Sequence, residues 1–149
     1  MKNNFFTSKV KIICTFIIAV FLLFGLAPVM AAEEVGIKIM KKGLLGTFLT
    51  DGRGITLYSL SKDNKNLSTC IEGCAVIWPP FHVDPSAVIE GCDSSNFATI
   101  ARTDGRQQTT FKGMPLYYFK NDKYPGDTLG HGIGDVWFVV LLNKPGNTP

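Results

Sequence analysis

Three groupings of side chains in this sequence are of a type that could do chemistry. The first is a tyrosine followed five positions later by an aspartate, present twice: Tyr58 with Asp63, and Tyr117 with Asp122, the second copy also carrying Phe119. A tyrosine at a strand end buries its ring and needs a partner for its hydroxyl. An aspartate just past a strand fixes the following turn through its side chain. Two copies at matching positions are what a folding motif gives. The functional alternative is a pair of tyrosines and carboxylates lining a ligand surface. The second grouping is Cys70-x3-Cys74. In an exported chain a disulfide is expected, and four residues on a helical turn bring two Cα atoms within its reach. As free thiolates, together with Cys92, His82 or His131, the same sulfurs would instead suit copper. The third grouping is the loop 122–135, in which Asp127, His131 and Asp135 form a candidate ligand or cation site. Its spacing matches no EF-hand or zinc pattern, and the plainer reading is a glycine-rich loop whose aspartates shape turns.

Motifs of catalysis are missing. There is no Gly-x-Ser-x-Gly, no phosphate loop and no His-Glu-x-x-His. Cys-x-x-Cys-His is absent too, which excludes covalent haem of the c type on sequence. The expectation is a protein that is not an enzyme, with no cofactor predicted and a metal ion as the alternative.

The elements that must position these groups come from an internal repeat. One unit runs from Leu45 to Asp63 and the other from Phe97 to Asp122. They share Asp51-Gly52-Arg53 against Asp104-Gly105-Arg106, and Leu57-Tyr58 against Leu116-Tyr117. Each reads as a hairpin, with runs rich in Thr, Ile, Leu, Phe and Tyr flanking an Asp-Gly turn. Strands are expected near 45–50, 55–60, 97–103, 107–111, 115–120 and 135–142. One or two helical turns fit 70–78, and Pro79-Pro80 stops them. The fold class is therefore mainly β: a small antiparallel domain of two hairpin repeats, with a short helical turn near the Cys-x3-Cys element.

The first residues set the address. Lys2, Lys9 and Lys11 precede an uncharged apolar stretch from Ile12, which Gly25 and Pro28 break before Val29-Met30-Ala31. This is the pattern of a signal peptide over residues 1–31; an uncleaved anchor is the alternative. A lead-in of residues 32–43, a β domain of 44–142 and a tail of 143–149 complete the division. Of 15 basic and 12 acidic residues, three lysines and no acid fall in the export segment, so the remainder has no net charge. No basic face argues for nucleic acid. An exported protein, periplasmic or extracellular, is expected, whose partner is an envelope protein or small ligand. Contact with the membrane would come only through the export segment.

Several landmarks together resemble a bacterial secreted-repeat family of unknown function. Its members include predicted lipoproteins and carry a Tyr-x-aromatic-x-x-Asp motif. The landmarks are Thr56-Leu57-Tyr58 with Asp63, Ser68-Thr69-Cys70-x3-Cys74, and Trp78-Pro79-Pro80. Gly113-x-Pro115-Leu116-Tyr117-Tyr118-Phe119 with Asp122, Pro125-Gly126-Asp127-Thr128, Gly130-His131-Gly132 and Val136-Trp137-Phe138-Val139-Val140 follow. The chain departs from the family at Leu60, where the motif has an aromatic, and in lacking a lipobox around Cys14. The resemblance implies export, a mainly-β repeat fold and an envelope role. It assigns no catalytic residue. From the residues themselves the expectation is a non-catalytic binding or interaction module, with a metal- or redox-linked protein and a structural part of a surface assembly as alternatives.

Overall fold

The computed structural model describes residues 36–84 and 86–143. The export segment, the start of the lead-in and the tail from 144 lie outside the described residues. No helix among the described residues is long and apolar enough to cross a membrane.

The chain is mainly β. Strand β1 (Gly36–Lys42) and β2 (Gly46–Asp51) form an antiparallel hairpin. Strand β9 (Leu141–Asn143) pairs antiparallel with the far edge of β2, and β4 (Val88–Ile89) pairs parallel with β1. A second sheet joins β5 (Phe97–Ala101), β6 (Gln107–Phe111) and β7 (Met114–Pro115). Between the two sheets, β3 (Tyr58–Leu60) pairs antiparallel with β8 (Trp137–Val139). One short helix, α1 (Gly73–Ile77), follows the first cysteine.

Three expectations are corrected. The lead-in is a strand from residue 36: Ile37 and Ile39 alternate with lysines, and Ile37 is fully buried. The expected strand at 115–120 stops at Pro115. The segment across from Tyr117 and Tyr118 carries Pro79 and Pro80, which have no N–H to give, so contact there is an isolated bridge. The expected strand at 135–142 is divided. A 3-10 turn occupies Ile133–Asp135. Val140 then separates β8 from β9, with its N–H on the Leu57 carbonyl and its carbonyl on the Leu49 N–H.

The repeats correspond through a displacement of 59 positions, or 60 in the leading hairpin of each, and backbone hydrogen bonds reproduce it. Ser61 N–H reaches the Val136 carbonyl as Lys120 N–H reaches that of Ile77. Val140 N–H bonds Leu57 as Phe81 N–H bonds Leu116. On the axis of this exchange, Tyr58 and Tyr117 trade N–H and carbonyl bonds at 2.8 and 2.9 Å. The two Asp-Gly-Arg turns are not equivalent, contrary to the sequence alignment. Asp104-Gly105 closes the β5–β6 hairpin, whose counterpart is β1–β2. The structural counterpart of the turn at 51–54 is Lys112-Gly113. Gly54 and Gly113 hold φ of +89° and +83° there, a region that glycine enters without steric cost.

Alternation along the strands feeds two apolar clusters. Tyr58, Tyr117, Phe48, Leu60, Phe119 and Val139 surround Trp78 and Trp137 in the first. The two indoles stack at 3.9 Å, 5° from parallel. Their neighbours Leu57, Leu116, Leu49 and Val140 turn the other way and join Ile37, Phe81 and Phe111 in the second. Each Leu-Tyr pair thus contributes to both.

Candidate functional site

The motif tyrosines and aspartates pair across the repeats. Tyr58 donates its hydroxyl to Asp122 Oδ2 at 2.6 Å, and Tyr117 donates to Asp63 Oδ2 at 2.6 Å. The other oxygen of each aspartate caps the loop that follows it. Asp63 Oδ1 accepts the Thr69 N–H and hydroxyl, and Asp122 Oδ1 accepts the Leu129 N–H. Both tyrosine rings are fully buried. Burial first, and then the adjacent carboxylate, push both phenols well above the ordinary tyrosine range. Burial also raises the Asp122 carboxyl.

The two halves differ in what supports the tyrosines. Tyr117 also shares a 2.7 Å hydrogen bond with Ser68 Oγ; its own proton lies on Asp63, so the serine is the donor. Ser68 Oγ in turn accepts from Arg102 Nη1 at 2.6 Å. The Arg102 side chain is wholly buried, with its remaining N–H groups on Gln108 Oε1, the Cys70 carbonyl and Asp104. Arg106 first and Arg102 second hold the Asp104 carboxyl far below the usual carboxylate range. Lys42 occupies the position corresponding to Arg102. It reaches the other loop in the same way, donating to the Gly126 carbonyl and Thr128 Oγ1, but at the surface. Around Tyr58 the support is backbone: Gly130 N–H donates to its hydroxyl at 3.2 Å. A Cβ on Gly130 would lie 2.8 Å from Trp78 and 2.9 Å from Tyr58, so only glycine allows this approach.

Cys70 and Cys74 form a disulfide, with Cα atoms 5.2 Å apart. Neither sulfur is then a thiolate that could bind copper. Cys92 is a half-buried thiol at the edge of the second cluster, and burial raises its pKa. His82 and His131 are both exposed. Among the described residues, no three His, Cys, Asp or Glu side chains converge as metal ligands would. In the candidate loop, Asp127 Oδ2 accepts the N–H groups of Lys123 and Tyr124, closing a turn. Those bonds lower its pKa. Asp135 is exposed at a φ of +55°. His131 turns away from both aspartates: its Nδ1 accepts the Val139 N–H at 3.2 Å, and its ring lies edge-on to Phe138.

His131 instead lines a groove of about 560 Å³. Phe111, Met114, Leu116, Phe138 and Val140 make its apolar walls, and Ser59 and Lys112 add polar groups. The volume lies within the range of small-molecule sites. His131, Leu116, Phe138 and Val140 fall among the sequence landmarks, but no spacing in the sequence marks these residues as the walls of one groove. The available signal was a mismatch between the repeats, Tyr58-Ser59 against Tyr117-Tyr118. Tyr118 packs edge-on against Phe81 and donates to Asp51 Oδ2 at 3.0 Å, where Arg53 also bonds.

A family model described as a secreted repeat of unknown function matches residues 40–82 and 98–141. The two matches begin within β1 and β5 and end shortly after Phe81 and Val140, the units that the hydrogen bonds define. No curated protein matches the chain, and no solved structure does. The chain belongs to this family of secreted repeats of unknown function, with two copies that each complete the other.

Proposed function

We propose that the chain acts outside the cytoplasm as a non-catalytic binding module, and that the groove beside His131 is its binding surface. One contrast supports this reading. The motif side chains are consumed by the fold: among the described residues, no buried side-chain nitrogen or oxygen lacks a hydrogen-bond partner. The groove, by comparison, is open apolar surface with Phe138 38% exposed beside it. An apolar concavity with a few convergent polar groups is the usual form of a small-ligand site.

The test is a titration of residues 33–149 with Nile red, a neutral apolar dye. One saturable site is expected, and Phe138→Asp should abolish it with little change in melting temperature. Absence of saturable binding, or binding unchanged in Phe138→Asp, would overturn the reading.

A further inference from the structure

The groove is the unfilled counterpart of a filled position in the other half of the molecule. The displacement that relates Tyr58 to Tyr117 also relates Ser59 to Tyr118, Leu57 to Leu116 and Phe81 to Val140. In the leading hairpin the displacement is 60, because Leu49 and Thr109 make the same bonds, and there Asp51 corresponds to Phe111. In one half, the Tyr118 ring stands edge-on to Phe81, at 5.5 Å and 86°, over the second cluster. Its hydroxyl is held by Asp51. In the other half the corresponding side chains, Ser59, Phe111, Leu116 and Val140, all line the groove. Where the fold has a phenol ring in one half, it leaves space in the other.

We propose that the groove takes a single-ring aromatic carboxylate, with its ring seated where the Tyr118 ring sits in the opposite half. This rests on the groove being the binding surface. The ring part of the assignment comes from the filled counterpart. The carboxylate part comes from charge. The filled half places Asp51 at the far end of the phenol, with Arg53 on that acid. The open half replaces the acid with Phe111 and sets the Lys112 ammonium 5.3 Å from the Phe111 ring centroid. His131 Nδ1 accepts a hydrogen bond, which leaves Nε2 as the protonated ring nitrogen and a further donor. Lys112, His131 and the Ser59 hydroxyl can each donate, and no lining group is an acid, which suits an anionic acceptor brought by the ligand.

The experiment uses residues 33–149 loaded with Nile red and titrated with benzoate or with cyclohexanecarboxylate, which has the same charge and nearly the same size but no π-system. Benzoate is expected to displace the dye at a concentration at least ten-fold lower. Lys112→Gln should weaken benzoate several-fold more than it weakens the neutral dye. Ser59→Tyr, which rebuilds the filled arrangement, should abolish both. On the unaltered chain, benzoate should shift the Met114 methyl resonance through its ring current, a readout independent of any variant. If the dye binds but benzoate neither displaces it nor shifts Met114, the proposal fails while the groove remains a binding surface. Equal potency of the two carboxylates also overturns it. If the dye itself does not bind, the underlying reading fails and the proposal with it.

Discussion

Each motif tyrosine ends in a short, buried hydrogen bond to a carboxylate that belongs to the other repeat. Ionising such a phenol would place two negative charges side by side in the core. Burial first, and then the adjacent carboxylate, raise the folded-state pKa values of Tyr58, Tyr117 and Tyr118 above the unfolded value of about 10. Raised pKa values mean that the stability these groups contribute is complete below pH ~10 and is lost as pH climbs toward the folded values. Alkaline titration followed at 295 nm should show these three phenolates appearing only within the unfolding transition. Their gradual ionisation in a still-folded chain, by near-ultraviolet circular dichroism, would contradict the assignment. Gly130 is the second position where one atom decides. A methyl group there meets two rigid aromatic rings, so Gly130→Ala should cost about 2 kcal/mol through overpacking. Thermal melts should register roughly a 10 °C loss.

At the scale of elements, the sequence displayed the hairpin at Asp104-Gly105, the helical turn by the cysteines and the turn role of Asp127. These are local, set by glycine freedom, short-range spacing and side-chain capping. What it hid was long-range. The lysines of β1 obscured the Ile37/Ile39 alternation, which has meaning only once β2 lies beside it. Prolines 79 and 80 read as a helix stop, which they are. They also remove the donors opposite Tyr117, and that required knowing which segment lies there. The groove was least legible, because it is defined by what is small at Ser59, not by a motif. The disulfide encloses few residues, so its constraint on the unfolded chain is modest, about 2 kcal/mol. Residues 33–149, purified without reductant, should show one thiol, Cys92. It should react slowly while folded, and two more should appear on reduction and unfolding. Three reactive thiols before reduction would refute the pairing.

At the scale of the molecule, the two repeats are exchanged parts of one core. The segment after Trp78 runs against Leu116 and Thr109 of the second repeat. The segment after Trp137 runs against Leu57 and Leu49 of the first. The indole stack, the tyrosine bridge and both Tyr–Asp bonds all cross the boundary. A repeat alone would expose its half of both clusters and leave its aspartate without the tyrosine donor. Residues 33–96 expressed alone should therefore lack near-ultraviolet circular dichroism and a cooperative melt. An independently folded fragment would show that the repeats are merely adjacent.

The most direct test of this interlocking is a pair of double-mutant cycles read by chemical denaturation. Tyr58→Phe combined with Asp122→Asn crosses the repeats. Tyr58→Phe combined with Asp63→Asn stays within one motif. The structure predicts a coupling of about 1–3 kcal/mol for the first, because those side chains share a buried hydrogen bond. For the second it predicts additivity to within about 0.5 kcal/mol, because they share no hydrogen bond. Strong coupling of Tyr58 to Asp63 with none to Asp122 would contradict it, and would return the motif to a local turn device.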